Sequence, residues 1–245
     1  MPRNEENENI RKLEEIRGST VVPLLLDEST SIDRYLVSEV YDTLTTLDLK
    51  ENIDVIIHSS GGDLDAAYHL GRIFQDMCEG KLTMIIPRYA KSAATALACA
   101  GDTIAMSHPS ELGPVDPQAK DPTTGEWISV DSVNVTLRIL QSLGRGPLLE
   151  ELARTFPLMV VGDLERVKDH AKRELKALLA RRMFKEEENK AEEVAKELVE
   201  GYRYHGKCIT KDEAKEIGLK IDELSGEEWR LVWKLYRDFE KGELI

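Results

Sequence analysis

Ser92 stands in the string PRYAKSAATALACAGD (87–102), at the joint between an apolar stretch and an Ala-rich one. A hydroxyl at such a joint has two uses. It can cap the helix that follows, a common role worth about 1 kcal/mol. It can also act as a nucleophile, with the Ala93 amide pointing the same way as the hydroxyl, a geometry suited to acyl transfer. A second turn, HSSGGD (58–63), carries Gly61 and Gly62. Glycines reach positive φ and let backbone N–H groups approach a ligand. Here they precede a helix whose dipole favours negative charge. The pair suits an oxyanion hole, and suits a plain strand-to-helix turn as well.

A nucleophilic serine needs a base. The chain has five histidines. His69 and His170 fall on charged helical faces and are expected to be solvated. His58 ends a strand beside the glycine turn, and His108 follows another strand near the same end of the sheet. His205 precedes a short capped helix. His58, His108 and His205 therefore all stay open as bases. Lys91 is next to Ser92, but neighbouring side chains at a helix start diverge. Lys120, in a later loop, is the better lysine, and would need a depressed pKa to act. Asp116 sits in a stiff Val-Asp-Pro loop, where turn formation is its ordinary use.

These residues need a frame. TVVPLLL (20–26), IDVIIHS (53–59), KLTMIIP (81–87) and DTIAMS (102–107) read as strands. Helical patterns over 29–47, 63–79 and 92–101 separate them. Apolar strands alternating with helices predict a parallel sheet with helices on both faces. Residues 108–127 are rich in Pro and Gly and read as loop. SVDSVNVTLRILQSLG (129–144) reads as a helix, and 163–200 as a long or paired charged one. Thr210 and Glu213 have capping-box spacing over 209–219. Residues 226–243 form an amphipathic helix with Trp229, Val232, Trp233, Tyr236 and Phe239 on one side. Three regions are expected: a polar, frayed N-terminal segment (1–18), one domain (19–225) and the C-terminal helix (226–245).

Totals narrow the classes. The formal net charge is −13, which disfavours nucleic acid and anionic membranes as partners. No apolar run reaches the roughly 20 residues of a membrane span, and the N-terminus has no signal-peptide core. Cys78, Cys99 and Cys208 lack CxxC spacing, which fits a reducing compartment and free thiols. A cytoplasmic protein without metal or cofactor is expected.

Three strings together resemble a family. His58-Ser59-Ser60-Gly61-Gly62, Tyr89-Ala90-Lys91-Ser92 and Leu112-Gly113-Pro114-Val115-Asp116-Pro117-Gln118 resemble the serine dehydrogenase proteinase family. That family is a branch of the Clp/crotonase-fold serine peptidases, related to Clp protease and signal-peptide peptidase A. The resemblance covers about residues 18–120 and resumes at 202–221. It implies an α/β spiral of ββα units with a parallel sheet and a helical C-terminal region. It implies a serine endopeptidase with Ser92 as nucleophile, Asp116 and His205 completing a triad, and Gly61 or Gly62 with Ala93 as oxyanion donors. It also implies a homo-oligomer acting on peptides or unfolded protein. Members often have Gly-Gly where this chain has Ala93-Ala94, and Pro where it has Ser60. A Ser–Lys dyad using Lys120, a crotonase-like acyl-thioester enzyme and a catalytically silent scaffold are the alternative readings.

Overall fold

The computed structural model describes residues 7–116, 118–120, 127–129, isolated positions between 135 and 142, 158–202 and 204–243. In chain order the first elements are α1 (Glu8–Arg17), β1 (Ser19–Leu25), α2 (Arg34–Thr46), β2 (Asn52–His58), α3 (Leu64–Met77), β3 (Leu82–Ile86), β4 (Tyr89–Ala90), α4 (Ala93–Ala98) and β5 (Thr103–Met106). Then come β6 (Glu111–Leu112), β7 (Gln118–Lys120), β8 (Trp127–Ser129), α5 (Leu158–Arg181), α6 (Glu188–Glu200), β9 (Ile209–Thr210), α7 (Lys211–Glu216), β10 (Ile221–Asp222) and α8 (Gly226–Glu240).

The apolar strings form the expected parallel sheet, in the order β1-β2-β3-β5-β10. Its strands are buried almost without a break because helices cover both faces. On one face Leu36, Leu70, Phe74, Leu97, Leu178 and Val194, drawn from α2 to α6, build the larger core. On the other, Ile10 and Leu13 of α1 meet Val232 and Leu235 of α8 over Val21, Ile56 and Ile85.

Three local expectations change. Residues 7–18, expected to fray, form a capped helix: Asn7 caps α1, Gly18 ends it in the left-handed region, and Ile10 and Leu13 are buried. Residues 29–32 do not open α2. Asp33 caps it, Ser29 and Thr30 donate to Asp27, and Ile32 is held extended by a parallel bridge to Gly62. The stretch expected as loop contains β6, β7 and the first residue of β8. Distant partners decide this for β6, which lies between β4 and β9, whereas β7 and β8 pair antiparallel with each other. The helix expected over 129–144 lies largely outside the described residues.

The small sheet β4-β6-β9 matters most for function. It joins the strand that leads to Ser92 with the segment that follows His205. β6 and β9 are antiparallel, with Leu112 opposite Ile209. Carrying that register four residues further brings Asp116 opposite His205.

Candidate active site

Ser92 is the one non-glycine residue with positive φ among the described residues, at φ 51° and ψ −121°. Such a conformation costs on the order of 1–3 kcal/mol and persists only where the surroundings over-determine it. The hydroxyl makes no capping hydrogen bond to α4. The ordinary use of a serine at a helix start is therefore absent, and the strained residue holds a hydroxyl without a hydrogen-bond partner among the described residues at the strand-to-helix joint. Ala93 is the first residue of α4, so its N–H has no acceptor within the helix.

The glycine turn is locked against this joint. Ser59 N–H donates to the Tyr89 carbonyl (3.1 Å), and Lys91 N–H donates to the Ser59 carbonyl (3.0 Å). Gly61 has φ 113°, and a Cβ there would lie 2.7 Å from the Lys91 carbonyl oxygen and 3.0 Å from Ser92 Cβ. Only a glycine lets the two turns touch. The Gly61 N–H donates to Ser59 Oγ at 3.0 Å, so it is engaged. Gly62, at φ 149°, bridges Ile32 through its neighbours: Ile32 N–H donates to the Gly61 carbonyl, and Asp63 N–H donates to the Ile32 carbonyl. The Gly62 amide stays outside these pairings. Of the two glycines, Gly62 is thus the one with an amide to offer.

Both turns open into a cleft of about 760 Å³, lined among others by Gly62, Ser92, Ala93, Asp116, His170 and His205. Asp116 is buried, and its Oδ2 lies 3.7 Å from His205 Nδ1. That nitrogen is itself enclosed and has no partner at hydrogen-bond distance among the described residues. His205 is about one-third exposed, so the other edge of its ring can face the cleft. A hydroxyl, an imidazole backed by a carboxylate, and two main-chain amides thus share one cavity. A model of the ClpP-like SDH-type serine proteinases matches residues 3–132, just over half of the chain. The chain belongs to this family.

Two uncharacterised proteins of Methanocaldococcus jannaschii are similar to this proteinase. MJ0137 is 30% identical over 93% of this chain and 77% of its own. MJ1495 is 25% identical over 87% and 70% respectively. Among solved structures, a serine-to-alanine variant of the 1510-N membrane-bound stomatin-specific protease superposes with a TM-score of 0.53 at 16% identity. It covers 83% of this chain and 79% of its own. A lysine-to-alanine variant of the same protease, in complex with a substrate peptide, gives 0.53 at 17% identity over 83% and 74%. These likenesses show the ClpP-like fold. No described helix of this chain is long and apolar enough to cross a membrane.

The other candidate bases of this proteinase fall elsewhere. His58 is 4% exposed and packs on Tyr89 (4.0 Å between centroids) and Tyr236 (4.8 Å), away from the cleft lining. Burial, helped by Arg88, pushes its pKa down to about 4 against the opposing pull of Glu240 and the Tyr89 backbone. His58 is a packing residue, because the last residue of a central strand points into the α8 side of the core. His108 is exposed in the turn after β5 and does not line the cleft. Lys91 turns to the Leu112 carbonyl (3.0 Å) and Glu111 (3.2 Å). The backbone of Lys120 belongs to β7, opposite Trp127. Its side chain, and all of Asp121 and Asp131, lie outside the described residues.

Two contributors carry no signal in the sequence. Thr95 bonds the Ala90 carbonyl (2.7 Å) and accepts the Gly113 N–H (3.1 Å), bracing the Ser92 joint against the loop that presents Asp116. His170 is exposed, as expected, and also lines the cleft with Nε2 2.6 Å from Asp65 Oδ1. The partners are 105 residues apart, so no local periodicity could announce the pair.

Proposed function

We propose that this proteinase is an endopeptidase working through an acyl-enzyme on Ser92. The observation that carries the reading is the strained, uncapped Ser92 facing the Gly61–Gly62 turn in the cleft that holds His205 and Asp116. Asp116 stands at the Nδ1 edge of His205 and fixes the tautomer with the proton on that nitrogen. Nε2 then takes the proton of the Ser92 hydroxyl as its oxygen attacks the scissile carbonyl. The negative charge that develops on the carbonyl oxygen meets the N–H groups of Gly62 and Ala93. The imidazolium returns its proton to the departing amine, and water then releases the acyl group by the same path. The 3.7 Å gap to Asp116 closes to hydrogen-bond length once substrate is bound. Peptide or unfolded protein is the substrate. The open cleft and the peptide bound by the stomatin-specific protease support this.

A fluorophosphonate probe tests the reading. Label is expected on Ser92 and is lost in Ser92→Ala. His205→Ala should lower peptide hydrolysis by about three orders of magnitude or more. A second reading has one specific support: the peptide-bound neighbour is a lysine variant. In that reading Lys120 is the base. If His205→Ala keeps activity while Lys120→Ala abolishes it, the lysine reading replaces the triad. A folded protein that takes no label at Ser92 and cuts no peptide refutes both.

A further inference from the structure

We infer that α8 and the turn after β5 form a docking groove for an acidic peptide segment that carries an aromatic side chain. The groove holds about 430 Å³ and shares no lining residue with the catalytic cleft. Trp229 and Trp233 form its apolar wall, one turn apart, with ring centroids 6.5 Å apart and planes 25° from parallel. Both are half-buried, so each keeps part of an indole face in solvent. Around them Arg230, Lys234, Arg237 and Lys241 follow at helical spacing, against the single carboxylate of Asp238.

The charge pattern selects the occupant. The chain carries −13 overall, so an acidic partner is repelled by most of its surface. In this groove an acidic segment meets four lining cations. Arg237 pairs with Glu240, and Lys241 lies 3.8 Å from Glu243. Arg230 forms no ion pair among the described residues; Lys234 forms no direct one, but after Lys12 it helps to hold the Glu8 carboxyl of α1 below its ordinary value. Arg230 Nε instead donates to the Gly226 carbonyl within its own helix. Tryptophan and arginine together are the residue types that dominate binding energy at protein interfaces. The stacked indoles take the aromatic side chain while the cations take the flanking carboxylates.

The full-length Ser92→Ala protein tests this, so that neither cleavage nor failure of the peptidase reading affects the result. The probe is a short fluorescein-labelled peptide of Asp and Glu around one Phe. Its control replaces every acid by Lys. Fluorescence anisotropy should show saturable binding of the acidic peptide only. Affinity should fall about tenfold or more in the Arg230→Glu/Lys234→Glu double variant and with added salt, because rim charges act through screened electrostatics. Both positions are exposed, and unchanged circular dichroism verifies the fold. Equal binding of the two peptides, or unchanged binding by the double variant, overturns the inference. So does binding to phosphatidylserine vesicles by a protein that ignores the peptide. Sedimentation overturns it too, if the double variant breaks an oligomer whose intact form excludes the peptide.

Discussion

Ser92 is held in a conformation that only glycine adopts without cost, and this makes the reading testable through stability as well as activity. Ser92→Ala removes the hydroxyl and keeps the strain, whereas Ser92→Gly removes both. The glycine variant should be the more stable of the two by about 1–2 kcal/mol in urea denaturation, although neither takes a fluorophosphonate label. Equal stability of the two variants would mean that the positive φ is not strained. Asp116→Asn should leave the fold intact and cut activity by about 10²–10⁴-fold, because the amide donates to Nδ1 and imposes the wrong tautomer. Comparing kcat with the denaturation midpoint separates this from misfolding. At this scale the sequence was informative about residue types. Ser92, the glycine pair and Asp116 stand in short strings that read alone as a cap, a tight turn and a loop former, and only the family resemblance assigned them catalytic roles. That Gly62 rather than Gly61 has an amide to spare could not be read, since it depends on which one Ser59 Oγ engages.

The elements place these residues, and two substitutions probe how. Gly62→Ala would drive a methyl into the backbone of Ile32 at a positive φ. It should cost more than about 2 kcal/mol and push the glycine turn away from Ile32, shifting the Gly62 amide and lowering both the thermal midpoint and the rate of labelling at Ser92. His58, at the end of β2, probes the docking of α8. Its folded pKa of about 4 lies below the 6.5 of a free histidine. Above pH 6.5 the ring is neutral in both states and contributes no pH dependence. As pH falls from 6.5 towards 4, the unfolded chain takes a proton that the buried ring refuses. Stability then drops by up to about 1.4 kcal/mol per pH unit. Below 4 both states are protonated and the decline stops. His58→Phe should remove this component, so the difference in urea midpoint between pH 7 and pH 5 should shrink relative to the parent protein. An undiminished difference would place the acid sensitivity elsewhere. The long elements were legible because hydrophobic period and caps act locally: β2, α3, β3 and the Thr210–Glu213 capping box all stand in the sequence. Strands of two or three residues such as β6 and β9 were not, because their only support is a remote partner.

At the scale of the molecule, the two ends of the described chain are clamped together on one face of the sheet. Arg17 reaches Asp54 through Nε (2.5 Å) and Nη2 (3.0 Å), and Glu228 through Nη1 (2.7 Å). Ser19 Oγ adds a bond to Asp54, whose side chain is 2% exposed. Arg17→Ala leaves that carboxylate buried without its counter-charge and should cost about 3–5 kcal/mol. Arg17→Met/Asp54→Asn should recover part of the loss, measured as urea midpoints on the full chain. By itself the sequence determined the parallel sheet, the helices on its faces and the strings that hold Ser92, Gly61–Gly62 and Asp116, because backbone period and turn chemistry are set by near neighbours. Tertiary structure put His205 beside Asp116, a pairing the residues left open and only the family resemblance implied, and it alone decided which glycine keeps its amide and that α1 and α8 close over one face. Those choices rest on register between short strands and on packing between segments far apart in the chain. Side-chain contacts of that range leave no periodic trace in the order of residues.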